Sequence, residues 1–167
     1  MDADKKKTVL RMIPYGLYIL TSEAKDGKVA AACINWVTQA SFNPPLLVVG
    51  VKTDSLAHAL IKETGVFALN VLGKNQGEVA FTFFKSLERD GMSIGGLSFK
   101  NSQTGSPVFD DVPAYLECKL LDSVGKGDHS VFVGEVVNAE VSQEPEGRPD
   151  EATLWLRDLG DRIYYGG

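Results

Sequence analysis

Three short stretches carry side chains able to hold a ligand. The first is Asn35-Trp36-Val37-Thr38-Gln39-Ala40-Ser41. Its amides and hydroxyls can donate to a phosphate or to the polar edge of a heterocycle. Such groups can equally be spent on their own backbone, and the residues alone leave both uses open. The second is Lys52-Thr53-Asp54-Ser55-Leu56-Ala57-His58, where an apolar run gives way to a helical pattern. A helix start presents unpaired N–H groups and the positive end of the dipole. Lys52, Thr53 and Ser55 add donors suited to a phosphate, whereas ordinary capping by Asp54 would fill the same N–H groups. The third is Gly125-Lys126-Gly127-Asp128-His129. A bend of this kind either sets an imidazole at the mouth of a site or leaves it in solvent.

Other chemistry is not expected. No nucleophile, base and orienting group form a recognisable set, and no Gly-x-Ser-x-Gly elbow, His-Glu-x-x-His or P-loop is expected. His58 and His129 are the only histidines, and Cys33 and Cys118 the only cysteines. They suffice for neither a metal cluster nor a disulfide framework. Cys33, between Ala32 and Ile34, reads as a small buried hydrophobe. Trp36 and Trp155 read as core or interface anchors, and His58 as a surface residue. A chain without such a catalytic set can still do chemistry if a cofactor carries it.

The elements that must position these stretches follow from pattern and punctuation. Ala3–Met12 predicts a short helix, stopped by the restriction Pro14 places on Ile13. Tyr15–Thr21 and Lys28–Ile34 predict a hairpin around Asp26-Gly27, with Ala30, Ala31 and Ala32 small enough to let a ligand approach. Leu46–Val51 reads as a buried strand. Asp54 is the expected N-cap of a helix over Ser55–Thr64 that turns Leu56, Ala59 and Leu60 to one face and stops at Gly65. Val66–Leu72 is a further strand, and Asn75–Phe84 a helix with Val79, Phe83 and Phe84 inward. Lys85–Gly105 reads as a long loop or lid. Pro113–Val124 and Ser130–Val141 are two long strands around the third stretch. A polar loop, Gln143–Asp150, and short closing strands at Leu154–Trp155 and Ile163–Tyr165 complete the chain. Many strands with few helices predict a mainly β, largely antiparallel barrel rather than a doubly wound sheet.

Composition sets the frame. The 167 residues suit one domain, 1–167, and their 44% hydrophobic and 23% charged content is ordinary for a globular protein. A net charge of -5 disfavours nucleic acid but not a single phosphate in a nest of N–H groups. No apolar run is long enough to span a bilayer, and no signal-peptide core follows the charged start. The expected location is cytoplasmic.

Taken in order, the segments resemble the flavin reductase-like family, whose members bind FMN on a split β-barrel of Greek-key-like, largely antiparallel strands with a few short flanking helices. The resemblance runs through Ala30–Ala32, Asn35–Ser41, Asn43-Pro44-Pro45-Leu46 and Lys52–His58. It continues through Phe67-Ala68-Leu69-Asn70-Val71-Leu72 and Gly127-Asp128-His129, and covers about Ile13 to Val141. It implies that Asn35, Trp36, Val37 and Thr38 line the flavin, and that Ser41 and Lys52 reach the ribityl phosphate. Ser55, followed by Leu56, would lie at the phosphate itself. Gln39, where the family commonly has Ser, belongs to the same set, and Ala57 replaces a frequent Thr. His129 would lie beside the ring or the nicotinamide as the catalytic group.

The implied activity is NAD(P)H-dependent flavin oxidoreduction. Bound FMN would pass electrons to free flavin, a partner protein or another small acceptor, in a homodimer whose interface borders the flavin. A flavoredoxin-like, non-enzymatic FMN electron carrier is the alternative. A cofactor-free binding module on the same barrel would be colourless when purified.

Overall fold

The computed structural model describes residues 1–166. After α1 (Ala3–Arg11) come β1 (Tyr18–Glu23), β2 (Val29–Ile34), β3 (Val37–Phe42), β4 (Pro45–Lys52), α2 (Leu56–Thr64), β5 (Val66–Val71) and α3 (Gly77–Thr82). The short strands β6 (Arg89–Asp90), β7 (Ser93–Ile94), β8 (Leu97–Asn101) and β9 (Pro107–Phe109) follow, then the long β10 (Ala114–Gly125) and β11 (His129–Val141). The mainly β, antiparallel class is as expected: every ladder is antiparallel.

The main sheet has seven strands in the order β2-β1-β5-β10-β11-β4-β3. Laid flat, its two edges would stand about 29 Å apart, six spacings of roughly 4.8 Å. Yet the edges β2 and β3 are consecutive and joined only by Asn35 and Trp36, a link that reaches at most about 11 Å. The sheet therefore curls until its edges nearly meet, and Asn35 and Trp36 lie in the seam.

Alternation sends side chains to two cores. Leu20, Val49, Val51, Phe67, Leu69, Cys118 and Phe132 fill the inside of the curl. Ala57, Leu60 and Ile61 of α2 join them there. Ile19, Val29, Ala31 and Leu72 face the other way, against Phe83, Ile94, Phe99, Phe109 and Leu156. Gly134 is required where β11 passes Phe67 and Cys118, because a Cβ there would stand 2.8 Å from Phe67 Cζ and 2.9 Å from Cys118 Cβ.

Several local expectations need correction. The N-cap of α2 is Ser55, whose side chain accepts from His58 N, and not Asp54. The helix buries Ala57, Leu60 and Ile61 and leaves Ala59 exposed. Phe84 is half exposed rather than inward. Lys85–Gly105 is not a loop throughout, since β6, β7 and β8 pair within it and β9 completes a four-stranded sheet. Its strands of two residues are too short to show a period in the sequence. The polar stretch from Val37 is an edge strand, β3, whose outer face needs no apolar residues. Leu154–Trp155 contributes only an isolated bridge, Gly16 to Trp155, and Ile163–Tyr165 forms no strand. Gly91-Met92-Ser93-Ile94-Gly95 does carry the Gly-x-Ser-x-Gly spacing. It lies in the β6–β7 hairpin, where Ser93 pairs with Asp90 and Ser98. A nucleophile elbow needs a strand-to-helix turn, and this is a strand-to-strand one.

Candidate flavin cleft at the barrel seam

A cleft of about 480 Å³ opens along β2 and the start of α2. Ala30, Ala31, Ala32 and Cys33 of β2 form one wall, and Phe83 to Leu87 form part of its rim. Small residues on β2 leave the room that larger ones would fill. Burial pushes the Cys33 thiol up to about 12, so it is a neutral wall group rather than a thiolate nucleophile.

One end of the cleft is polar. The ladder between β4 and β11 sets Lys52 opposite His129. The turn after β4 delivers Ser55 and α2. Ser55 Oγ has its one proton committed: it donates to Lys52 O at 2.7 Å and accepts from His58 N at 3.1 Å. The next two N–H groups, of Leu56 and Ala57, have no partner among the described residues. They form the donor end of a nine-residue helix and carry its positive partial charge. Lys52 Nζ lies 3.1 Å from Asp54 Oδ2. That hydrogen bond and the charge of Asp54 hold the Lys52 pKa above its ordinary value, so the ammonium is present at neutral pH. Both groups are well exposed, so an anion can compete for the ammonium at little cost.

His129 anchors the other polar group. Its Nδ1 lies 3.0 Å from Asp128 Oδ1 and its Nε2 2.7 Å from Tyr165 Oη. A carboxylate only accepts, so Nδ1 carries the proton towards Asp128. The hydrogen bond to His129 lowers the Asp128 pKa. Burial raises that of Tyr165, so its hydroxyl stays protonated and shares a hydrogen bond with Nε2. Trp36 packs over Gly50, where a Cβ would stand 3.0 Å from the indole, and its ring lies 4.5 Å from that of His129. The Trp36 indole N–H is buried with no acceptor among the described residues.

The structure brings Asn35, Lys52, Ser55, Leu56 and His129 to this one cleft, with Trp36 behind His129. It does not bring Val37, Thr38, Gln39 and Ser41. Val37 packs against the barrel core, and Thr38 and Gln39 are exposed on β3. Ser41 pairs with Leu46, six residues before Lys52, which is about 20 Å along the strand. Within one chain Ser41 and Lys52 cannot hold the same phosphate. His58 is half-buried rather than a surface residue, with Nε2 2.9 Å from Ser130 Oγ. Tyr165 went unrecognised because it meets Asn35 across 130 positions, and no local spacing signals that.

Among the described residues no three His, Cys, Asp or Glu are placed to hold a metal ion. Among the described residues no helix is long and apolar enough to cross a membrane.

The chain is 30% identical over 157 residues to a flavin reductase of Pseudomonas putida, covering 94% of this chain and 88% of that one. It is 33% identical over 145 residues to diflavin flavoprotein A 1 of a Synechocystis species. That match covers 86% of this chain but only 25% of the relative, so the chain corresponds to one part of a longer protein there. The solved structure of BorF, the flavin reductase component of a bacterial two-component tryptophan halogenase, superposes with a TM-score of 0.77 at 25% identity and covers 96% of both chains. The flavin reductase-like domain model matches residues 10–160, and the chain belongs to that family.

Proposed function

We propose that this protein is an NAD(P)H-dependent flavin oxidoreductase that uses bound FMN to reduce free flavin, a partner protein or another small acceptor. The observation that carries the reading is the cleft itself. It combines a small-residue wall on β2, two unpartnered helix N–H groups beside Lys52, and His129 on the adjacent strand as the cross-strand neighbour of Lys52. These residues fit FMN: the donors suit its phosphate, and the apolar wall suits its ring. When bound, FMN would supply the redox chemistry, as a hydride acceptor and an electron donor.

The chain's own residues bind and align. Leu56 N, Ala57 N and Lys52 Nζ hold the phosphate. The side chains of Ala30 to Ala32 permit close approach of a planar ring. His129, oriented by Asp128, offers a hydrogen bond without having to gain or lose a proton, since hydride transfer requires stacking and distance. The two unpaired cysteines suit a reducing compartment such as the cytoplasm.

The same reading includes a homodimer. Val124 and Val131 are cross-strand partners, 49% and 40% exposed. Val131 also pairs with Gly50, over which Trp36 lies. This exposed apolar row therefore borders the cleft. α1 buries none of its residues, although a nine-residue helix gains little stability alone. A second copy covering both would explain them. It would also allow β3 of one chain, with Thr38, Gln39 and Ser41, to approach the cleft of the other.

The test compares FMN with riboflavin, which lacks the phosphate. FMN should bind at least tenfold more tightly, as expected for charge-assisted contacts. Ser55→Asp should erase most of that difference. Asp caps a helix as well as Ser does, so α2 stays folded while a negative charge meets the phosphate. Equal affinities in the wild-type protein would remove the phosphate site.

A further inference from the structure

The segment Ile163–Gly166 crosses the cleft and takes up the polar groups that the site would offer a ligand. Asn35 Nδ2 donates to the Tyr165 carbonyl at 3.3 Å, and the Tyr165 hydroxyl occupies His129 Nε2 at 2.7 Å. The Tyr165 ring stands 5.5 Å from that of Trp36 and 5.9 Å from that of His129. Gly166 covers the Trp36 indole, such that a Cβ there would lie 3.4 Å from Nε1. That covering gives the indole N–H no acceptor, so the closed arrangement carries the penalty of a buried unsatisfied donor.

The segment is held lightly. Beyond Ile163 N, which bonds Gly160 O, no backbone-to-backbone hydrogen bond ties residues 164–166 to the barrel among the described residues. The remaining ties are side-chain contacts at the surface. Arg11 Nε donates to Gly166 O at a long 3.4 Å, and the Arg11 guanidinium lies 4.2 Å from the Tyr164 ring centroid. Such contacts open easily compared with a paired strand. Both nitrogens of His129 are already engaged, so His129 has nothing to give a ligand until Tyr165 leaves.

We infer that Tyr165 is a displaceable gate: its backbone carbonyl at Asn35, its ring at Trp36 and its hydroxyl at His129 stand in for a planar heteroaromatic ligand, and ligand binding drives the 163–166 strap out. This rests on the reading of the cleft as a flavin and nicotinamide site. The incoming ring must offer an acceptor to the Asn35 amide and the Trp36 N–H. The isoalloxazine of FMN and the carboxamide-bearing nicotinamide both do so.

A gate that must open lowers apparent affinity by the fraction of time it is open. Tyr165→Phe keeps the ring and loses the His129 bond, and Tyr165→Ala loses both. Kd for FMN, measured by flavin fluorescence on the apo-protein, should tighten about three- to tenfold in Tyr165→Phe. It should tighten further in Tyr165→Ala. The same series is run with NAD+ on the FMN-loaded protein, and the arm that responds identifies which ring displaces the strap. Independently, amide hydrogen exchange at 164–166 should accelerate on adding the responding ligand to the wild-type protein. Unchanged or weaker binding in both variants and both arms overturns the gate while leaving the flavin site standing. Strap amides that become more protected on binding also overturn it, because the strap would then be a lid closing over the ligand. Failure of wild type and variants alike to bind either ligand overturns the gate and the flavin reading together.

Discussion

His129 shows how much a single residue's partners change its role. The sequence places an imidazole at a hairpin, and the structure adds that Asp128 fixes its tautomer while Tyr165 fills its other nitrogen. On the proposed reading His129 is a positioning group for the ring that stacks beside Trp36. His129→Ala should keep bound FMN and lower the rate of anaerobic flavin reduction by roughly ten- to a hundredfold, the value of one hydrogen bond felt in the transition state. Stopped-flow reduction with FMN occupancy measured in parallel checks this. Abolished reduction in a variant still full of FMN would show His129 to be indispensable to the chemistry. At this scale the sequence was informative about residue type: Asn35, Lys52, Ser55, Leu56 and His129 do share a cleft. It placed Tyr165 in a closing strand and not in the cleft, because side-chain hydrogen bonds between distant segments leave no periodic trace.

Among elements, β10 and its neighbours depend on one buried carboxylate. Glu117 is fully buried at a bulge in β10. It accepts from Ser102 Oγ at 2.9 Å, Gln103 N at 3.2 Å, Thr104 N at 2.8 Å, Thr104 Oγ1 at 2.6 Å and Asn138 Nδ2 at 2.8 Å. Burial by itself pushes the Glu117 pKa up, but these donors together prevail and hold it below the ordinary 4.5. A carboxylate with a depressed folded-state pKa stabilises the protein above its unfolded value, and that stabilisation is lost as pH falls through the folded value. Denaturant unfolding should therefore show an acid limb below about pH 4.5. Glu117→Gln, which turns an amide N–H₂ towards donors, should cost about 1–3 kcal/mol at neutral pH and flatten that limb. An unchanged midpoint would mean the turn at 102–104 does not depend on Glu117. The strands β1, β2, β4, β5, β10 and β11 were legible in the sequence because each has a buried face and clear turn residues at its ends. The β6–β8 hairpins and β3 were not. The former are too short for a period, and the latter is an edge whose exposed positions, Thr38 and Gln39, read as polar connection.

The curl of the whole molecule creates both the site and its exposed apolar border. Trp36, in the seam between the sheet's edges, lies over Gly50 beside the Val124–Val131 row, and Arg11 of α1 reaches Tyr164 and Gly166 at the cleft. A homodimer there should be measurable by light scattering at micromolar concentration, and Val131→Lys should shift it towards monomer while leaving far-ultraviolet dichroism unchanged. A wild-type monomer with full flavin occupancy would remove the dimer from the account. Chain connectivity made the curl deducible, but only once strand order was known, and pairing order is not written in any local segment. The central claim, that this cleft holds FMN and that nicotinamide reduces it there, is tested most directly by the visible spectrum of the FMN-loaded protein under anaerobic conditions. The account predicts that NADH or NADPH alone bleaches the oxidised-flavin band. Bound flavin that stays oxidised with either nicotinamide, yet bleaches with a chemical reductant, would contradict it and mark the protein as an electron carrier fed by another reductase.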